Sequence, residues 1–106
     1  MFPVYVLEKD DGSVFEFPTL NAIQQHLEAI DVENGEYEAW DADGRYLDLS
    51  VGGPKSEWLK IVPTARQAPE AEFTALREKA EKRKEFEPRE PLSKRLSSWI
   101  GSRFNG

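Results

Sequence analysis

Asp41, Asp43 and Asp48 are the side chains of this chain whose type and spacing come nearest to holding a cation. A calcium loop of the EF-hand kind takes ligands at positions 1, 3 and 5 and a glycine at 6. Counted from Asp41, this chain has Gly44 at position 4 and Arg45 at position 5, so Asp-x-Asp-Gly reads as a turn between two strands. His26, the single histidine, lies beside an apolar helical stripe with no recognisable Ser, Cys or His partner. It reads as a half-exposed structural residue rather than a base or ligand. Ser50 and Ser56 fall in no nucleophile motif. Gly52-Gly53-Pro54-Lys55-Ser56 has a Lys-Ser pair without the spacing of a phosphate loop, and Pro54 removes an N–H such a cradle uses. The sequence therefore implies no catalytic residue, metal or cofactor, and a small hydrolase or metal-dependent enzyme ranks a distant third among the readings below.

A second constellation concerns binding. Trp40, Tyr46 and Trp58 are expected on one sheet face with Glu36, Glu38 and Asp48. Trp and Tyr are favoured interface anchors, and acidic neighbours steer a basic partner. The competing reading is that the C-terminal segment covers this face and makes the rings ordinary core.

The elements that must position these residues follow from periodicity. Val4-Tyr5-Val6-Leu7 is a continuous β-prone run, the mark of a strand covered on both faces. Asp10-Asp11-Gly12 turns it into Val14-Phe15-Glu16-Phe17. A three-residue loop pairs Leu7 with Phe15 and Tyr5 with Phe17, keeping apolar faces together. Thr19 is placed as the N-cap of a helix of about three turns with Leu20, Ile23, Leu27 and Ile30 as its apolar stripe, ended by Asn34-Gly35. The second hairpin, 36–41 and 45–51 around Ala42-Asp43-Gly44, pairs Tyr37 with Leu49 and Ala39 with Leu47. Trp40 then faces Tyr46 and Glu38 faces Asp48, a like-charge pair costing up to about 1 kcal/mol unless solvent, a cation or a basic partner lies nearby. Residues 57–62 alternate as a fifth strand, Leu59 and Ile61 inward, Trp58 and Lys60 outward. The two hairpins repeat at an offset of 32 residues, which fits either an internal duplication or two similar Asp-Gly turns. The expected fold is α+β: a ββαβββ antiparallel sheet with one packed helix, followed by a C-terminal helical tail.

After this acidic body, 1–63, residues 64–69 read as a connector and 70–87 as a charged helix with Pro69 at its first position. Its stripe of Phe73, Leu76, Ala80 and Phe86 is thin. A Pro-rich break at 88–91 precedes a short amphipathic basic helix at 92–104, with Leu92, Leu96, Trp99 and Ile100 on one face and Lys94, Arg95 and Arg103 around it. About three turns are marginal alone in water, so this helix must dock, on its own body, on a partner or, last, on a membrane.

Charge divides along the same line. Residues 1–63 carry thirteen acids and four bases, and 64–106 carry seven acids and ten bases, within an overall −6. At 106 residues the chain is one small domain with an appendage. Cysteine is absent, which excludes a disulfide scaffold, a Cys-based zinc site and a thiol nucleophile. No signal-like or membrane-spanning run occurs, so a cytoplasmic setting is expected. An acidic body repels phosphate, which disfavours direct nucleic-acid binding. The leading reading is a small acidic non-enzymatic module of the immunity, antitoxin or inhibitor type that occupies a basic surface of a partner protein. The alternative is an adaptor or cargo protein recruited to an assembly by residues 92–104.

Overall fold

The computed structural model describes residues 1–53 and 58–85, which form an α+β fold: a six-stranded mixed sheet of order β5-β4-β3-β1-β2-β6 with three short helices. The strands are β1 (Val4–Glu8), β2 (Val14–Phe17), β3 (Tyr37–Trp40), β4 (Arg45–Gly52), β5 (Trp58–Gln67) and β6 (Glu81–Lys82). The helices are α1 (Leu20–His26), α2 (Ala29–Glu33) and α3 (Glu70–Lys79). As expected of an uninterrupted apolar run, β1 is covered on both sides. Val4 and Val6 join Phe15, Phe17, Ala22, Ile23, Ala39 and Leu47 in one core, while Tyr5 joins Trp40, Ala68 and Phe73 in a second. Burying each aliphatic side chain of this kind contributes about 1.5–3 kcal/mol.

The first hairpin differs by one residue from the expected register. Leu7 pairs with Val14, Val6 with Phe15, Tyr5 with Glu16 and Val4 with Phe17, around a four-residue loop rather than a three-residue one. The Glu8 N–H donates to the Ser13 carbonyl at 2.8 Å and the Gly12 N–H to the Glu8 carbonyl at 2.9 Å. Asp11 accepts the Ser13 N–H at 2.9 Å, which holds its carboxyl below the usual carboxylate range. Both faces of β1 are apolar, so alternation leaves the register open and turn chemistry selects it.

Thr19 does cap α1, its hydroxyl accepting the Ala22 N–H at 3.1 Å. The single three-turn helix, however, is two helices. The backbone is extended at Leu27 (φ −81°, ψ 144°) and again at Glu28 (φ −96°, ψ 135°), and α2 starts after them. Leu20 and Ile30 therefore lie exposed, and the inward residues are Ala22, Ile23, the half-buried Leu27 and Val32.

The second hairpin keeps its expected turn and register at Ala39↔Leu47 and Trp40↔Tyr46. The ladder stops there, so the expected Tyr37–Leu49 pair does not form. In β5, Leu59 and Ile61 face the first core and Trp58 faces out, as read. The strand continues to Gln67, so residues 64–67 of the expected connector are strand. Between Leu47↔Pro63 and Arg45↔Gln67 the register shifts. The Thr64 hydroxyl spans the irregularity, donating to the Tyr46 carbonyl at 2.8 Å and accepting the Arg66 N–H at 3.1 Å. Pro63 is tolerated because β5 is an edge strand.

The charged helix expected to reach residue 87 ends at Lys79. The chain then runs parallel to β2 as β6, which makes the sheet mixed rather than purely antiparallel. Local propensity yields here to tertiary contacts. The Arg83 N–H donates to the Glu16 carbonyl at 2.8 Å, the Arg83 guanidinium lies 4.7 Å from the Phe15 ring, and Glu85 accepts from Thr19 and Asn21. The Pro-rich break and the basic segment 92–104 lie outside the described residues. Among those described, no helix is long and apolar enough to cross a membrane.

Candidate protein-binding site

The six residues expected to form one acidic, aromatic face are divided by the structure into three places. Trp40 and Tyr46 meet across β3 and β4, ring centroids 5.3 Å apart with planes at 49°. Trp58 pairs with Gly52, six residues along β4 from Tyr46, which at about 3.4 Å per residue is about 20 Å away. It is 65% exposed. Glu36 lines a separate acidic recess with Glu8, Asp10, Asp31 and Tyr37. In that recess the Tyr37 hydroxyl is pushed up from its ordinary value, first by burial and also by the charges of Asp31, Glu8 and Glu28.

Trp40 requires a correction. It is 3% exposed, sealed beneath α3 by Phe73 and Ala68, and is core rather than a reachable anchor. Its indole N–H finds no acceptor among the described residues, an orphaned group of a kind that costs about 1–3 kcal/mol. The reading in which the chain's own C-terminal part covers this face holds for Trp40 and for part of Tyr46.

Glu38 and Asp48 line one gap where β3 and β4 part beyond Ala39↔Leu47, together with Arg66. The Arg66 guanidinium stacks 4.2 Å over the Tyr46 ring. Because the ladder ends at Ala39↔Leu47, the expected facing pair of Glu38 and Asp48 does not form.

The α3 helix leaves a recess beside the rings it covers. This cavity, about 390 Å³, lies between α3 and strands β1, β3 and β4. Leu7, Trp40, Tyr46, Ala68 and Leu76 give it an apolar lining, with Glu38 from the sheet and Glu72 and Lys79 from the helix. Glu72, Ala75, Leu76 and Lys79 recur at i, i+3, i+4 and i+7, one face of α3. That spacing was present in the sequence; what no local signal indicated was which strands it would face. Pro69 opens the helix, and the Ala68 N–H donates to the Gly44 carbonyl at 2.9 Å, which ties its start to the β3–β4 turn.

Asp41 is 8% exposed and its carboxylate accepts the N–H groups of Asp43 at 2.9 Å and Arg45 at 3.0 Å. The Asp-x-Asp-Gly order is therefore a turn device, as read. His26 is half-buried against Phe15 at 4.7 Å, its Nε2 3.4 Å from Glu8. Leu92, Leu96, Trp99 and Ile100 of the alternative docking helix lie outside the described residues. Comparison of the chain with protein-family models, with curated proteins and with solved structures yields no match.

Proposed function

We propose that this chain is a small non-enzymatic binding module, of the immunity, antitoxin or inhibitor kind, that receives a basic segment of a partner protein at the α3 recess. The observation that carries the reading is the pairing of an apolar lining with two carboxylates, Glu38 and Glu72, against the single cation Lys79, in one cavity of about 390 Å³. Such a site suits a Lys or Arg side chain, whose stem packs on Leu7, Leu76 and the Tyr46 ring while its head meets the carboxylates. Arg66 already uses the Tyr46 ring in this manner. The exposed Trp58 and Val62, on the uncovered β5 side, extend the apolar surface available to a partner. The acidic excess of residues 1–63 favours a basic protein over a nucleic acid. A cytoplasmic setting belongs to the same proposal and accords with a cysteine-free chain.

The test is capture of binding partners by the intact chain and by its Glu38→Lys/Glu72→Lys variant, identified by mass spectrometry. Capture should fall about tenfold or more in the variant, the effect of reversing two charges at a partly desolvated contact. Equal capture by both proteins sinks the site.

A further inference from the structure

We propose that the cleft between α1 and β6 binds a phosphate dianion, free or carried as the monoester of a small molecule. It lies on the Phe15 side of the sheet, shares no lining residue with the α3 recess and does not depend on the function proposed there. Lys82-Arg83-Lys84 is the one run of three consecutive bases in a chain of net charge −6. On a continuous helix such a run would be a solvated face. Instead α3 ends at Lys79, the backbone is extended at Ala80 (φ −67°, ψ 133°), and the run lies along β2 and beside α1. There the three bases, with Ala22, Gln25 and His26, line a cleft of about 290 Å³, near the lower end of the roughly 300–1,000 Å³ usual for ligand sites. Among the described residues no carboxylate lines it.

The donors of the cleft are held in place by the fold. The Arg83 N–H donates to the Glu16 carbonyl at 2.8 Å, and its guanidinium lies 4.7 Å from the Phe15 ring. The His26 ring lies 4.7 Å from the same ring. One buried aromatic side chain thus seats a guanidinium from one wall and an imidazole from the other. Nearby acids have partners of their own. The Glu85 carboxylate accepts from the Thr19 hydroxyl at 2.8 Å and the Asn21 amide at 3.2 Å, at the start of α1. Glu8 meets His26 Nε2 at 3.4 Å. Glu81 reaches Arg83 at 3.5 Å with its side chain 64% exposed, a surface pair of little strength. A planar guanidinium flanked by two ammonium groups suits phosphate, which offers more charge than a carboxylate and oxygens that match the fork. The acidic excess of residues 1–63 repels a polyanion along its length, so the ligand is a small phosphate rather than a nucleic acid.

The experiment titrates the isotope-labelled full-length chain with inorganic phosphate and, separately, with phenyl phosphate at constant ionic strength, followed by amide NMR shifts. Saturable shifts centred on His26, Arg83 and Lys84 are expected, with a Kd on the order of 1 mM, as few ligand atoms at an open site allow. Lys84→Glu and Arg83→Gln should each weaken binding about tenfold or more. Lys84 is exposed and enters neither core, so its variant carries the test alone if Arg83→Gln loosens β6. Lys60→Gln, exposed on β5 and outside the lining, leaves binding intact. Tighter binding of phenyl phosphate assigns the monoester as ligand, and equal affinity assigns the phosphate group alone. Shifts that do not saturate, that acetate or chloride reproduces at the same concentration, or that persist undiminished in a folded Lys84→Glu chain overturn the proposal.

Discussion

The ring of Phe73 stands edge-on against Tyr5, centroids 5.5 Å apart and planes at 87°. This contact joins α3 to the central strand of the sheet and closes the second core over Trp40. Arg77, one turn along, places its guanidinium 5.1 Å from the Phe73 ring. Phe73 is the most deeply buried residue of α3, so the helix depends on it.

Phe73→Ala should cost about 3 kcal/mol, the lower end for a buried aromatic, a large part of the roughly 5–15 kcal/mol of a small domain. Urea unfolding followed by tryptophan fluorescence checks this. Because Trp40 loses its cover, the folded-state emission should also shift to the red. A variant with unchanged midpoint and emission would show that α3 does not seal the ring.

Gly44 and Gly12 separate two effects of a glycine. Both have positive φ, +83° and +76°. A Cβ at Gly12 meets open space, whereas one at Gly44 comes within 3.0 Å of the Phe73 ring and 3.1 Å of the Gln67 amide. Gly12→Ala should cost about 1 kcal/mol from backbone strain alone. Gly44→Ala should cost about 2–4 kcal/mol, because α3 must also shift. Comparing the two urea midpoints decides it, and equal losses would contradict the close approach of Phe73.

Thr19→Ala removes both the cap on the Ala22 N–H at 3.1 Å and the hydroxyl bonded to Glu85 at 2.8 Å. A loss of about 1–2 kcal/mol is expected, with Thr19→Ser restoring most of it. The same variant should speed amide exchange at Ala22, where the orphaned N–H regains water.

Alkaline stability follows from Tyr5 and Tyr37. Burial raises the Tyr5 hydroxyl above its ordinary 10.0, with the Glu16 carboxylate adding to the rise. Tyr37 is raised from the same value by burial and neighbouring acids. Above that value the unfolded chain releases protons that the folded chain still holds, so stability falls as pH rises. The stability is present below the unfolded value and is lost as pH climbs toward the folded one. Tyr5→Phe should weaken this slope, measured as the change in urea midpoint between about pH 9 and about pH 11. A slope identical to wild type in both Tyr5→Phe and Tyr37→Phe would refute the assignment.

The α+β class, the β1 run buried on both faces, the Thr19 cap and the Asp41 turn were legible because each is written in residues a few positions apart. Asp41, Asp43 and Gly44 make their turn from their own side chains and backbone, so three neighbouring letters suffice. The first-hairpin register was not legible, since Val4, Tyr5, Val6 and Leu7 are apolar on either face and any slip leaves a credible pattern. Similar Asp-Gly turns likewise concealed that one loop has four residues and the other three.

The chain order alone determined that acidic strands come first, that the turns fall at Asp-Gly, and that an aromatic pair faces across β3 and β4. Tertiary structure alone decided that α3 stops at Lys79, that Trp40 is covered, and that Glu38 and Glu72 meet around one cavity. The reason is that these outcomes depend on contacts between distant segments, Phe73 on Tyr5 and Arg83 on Phe15 and Glu16, whose energies exceed the small local preferences of the residues involved.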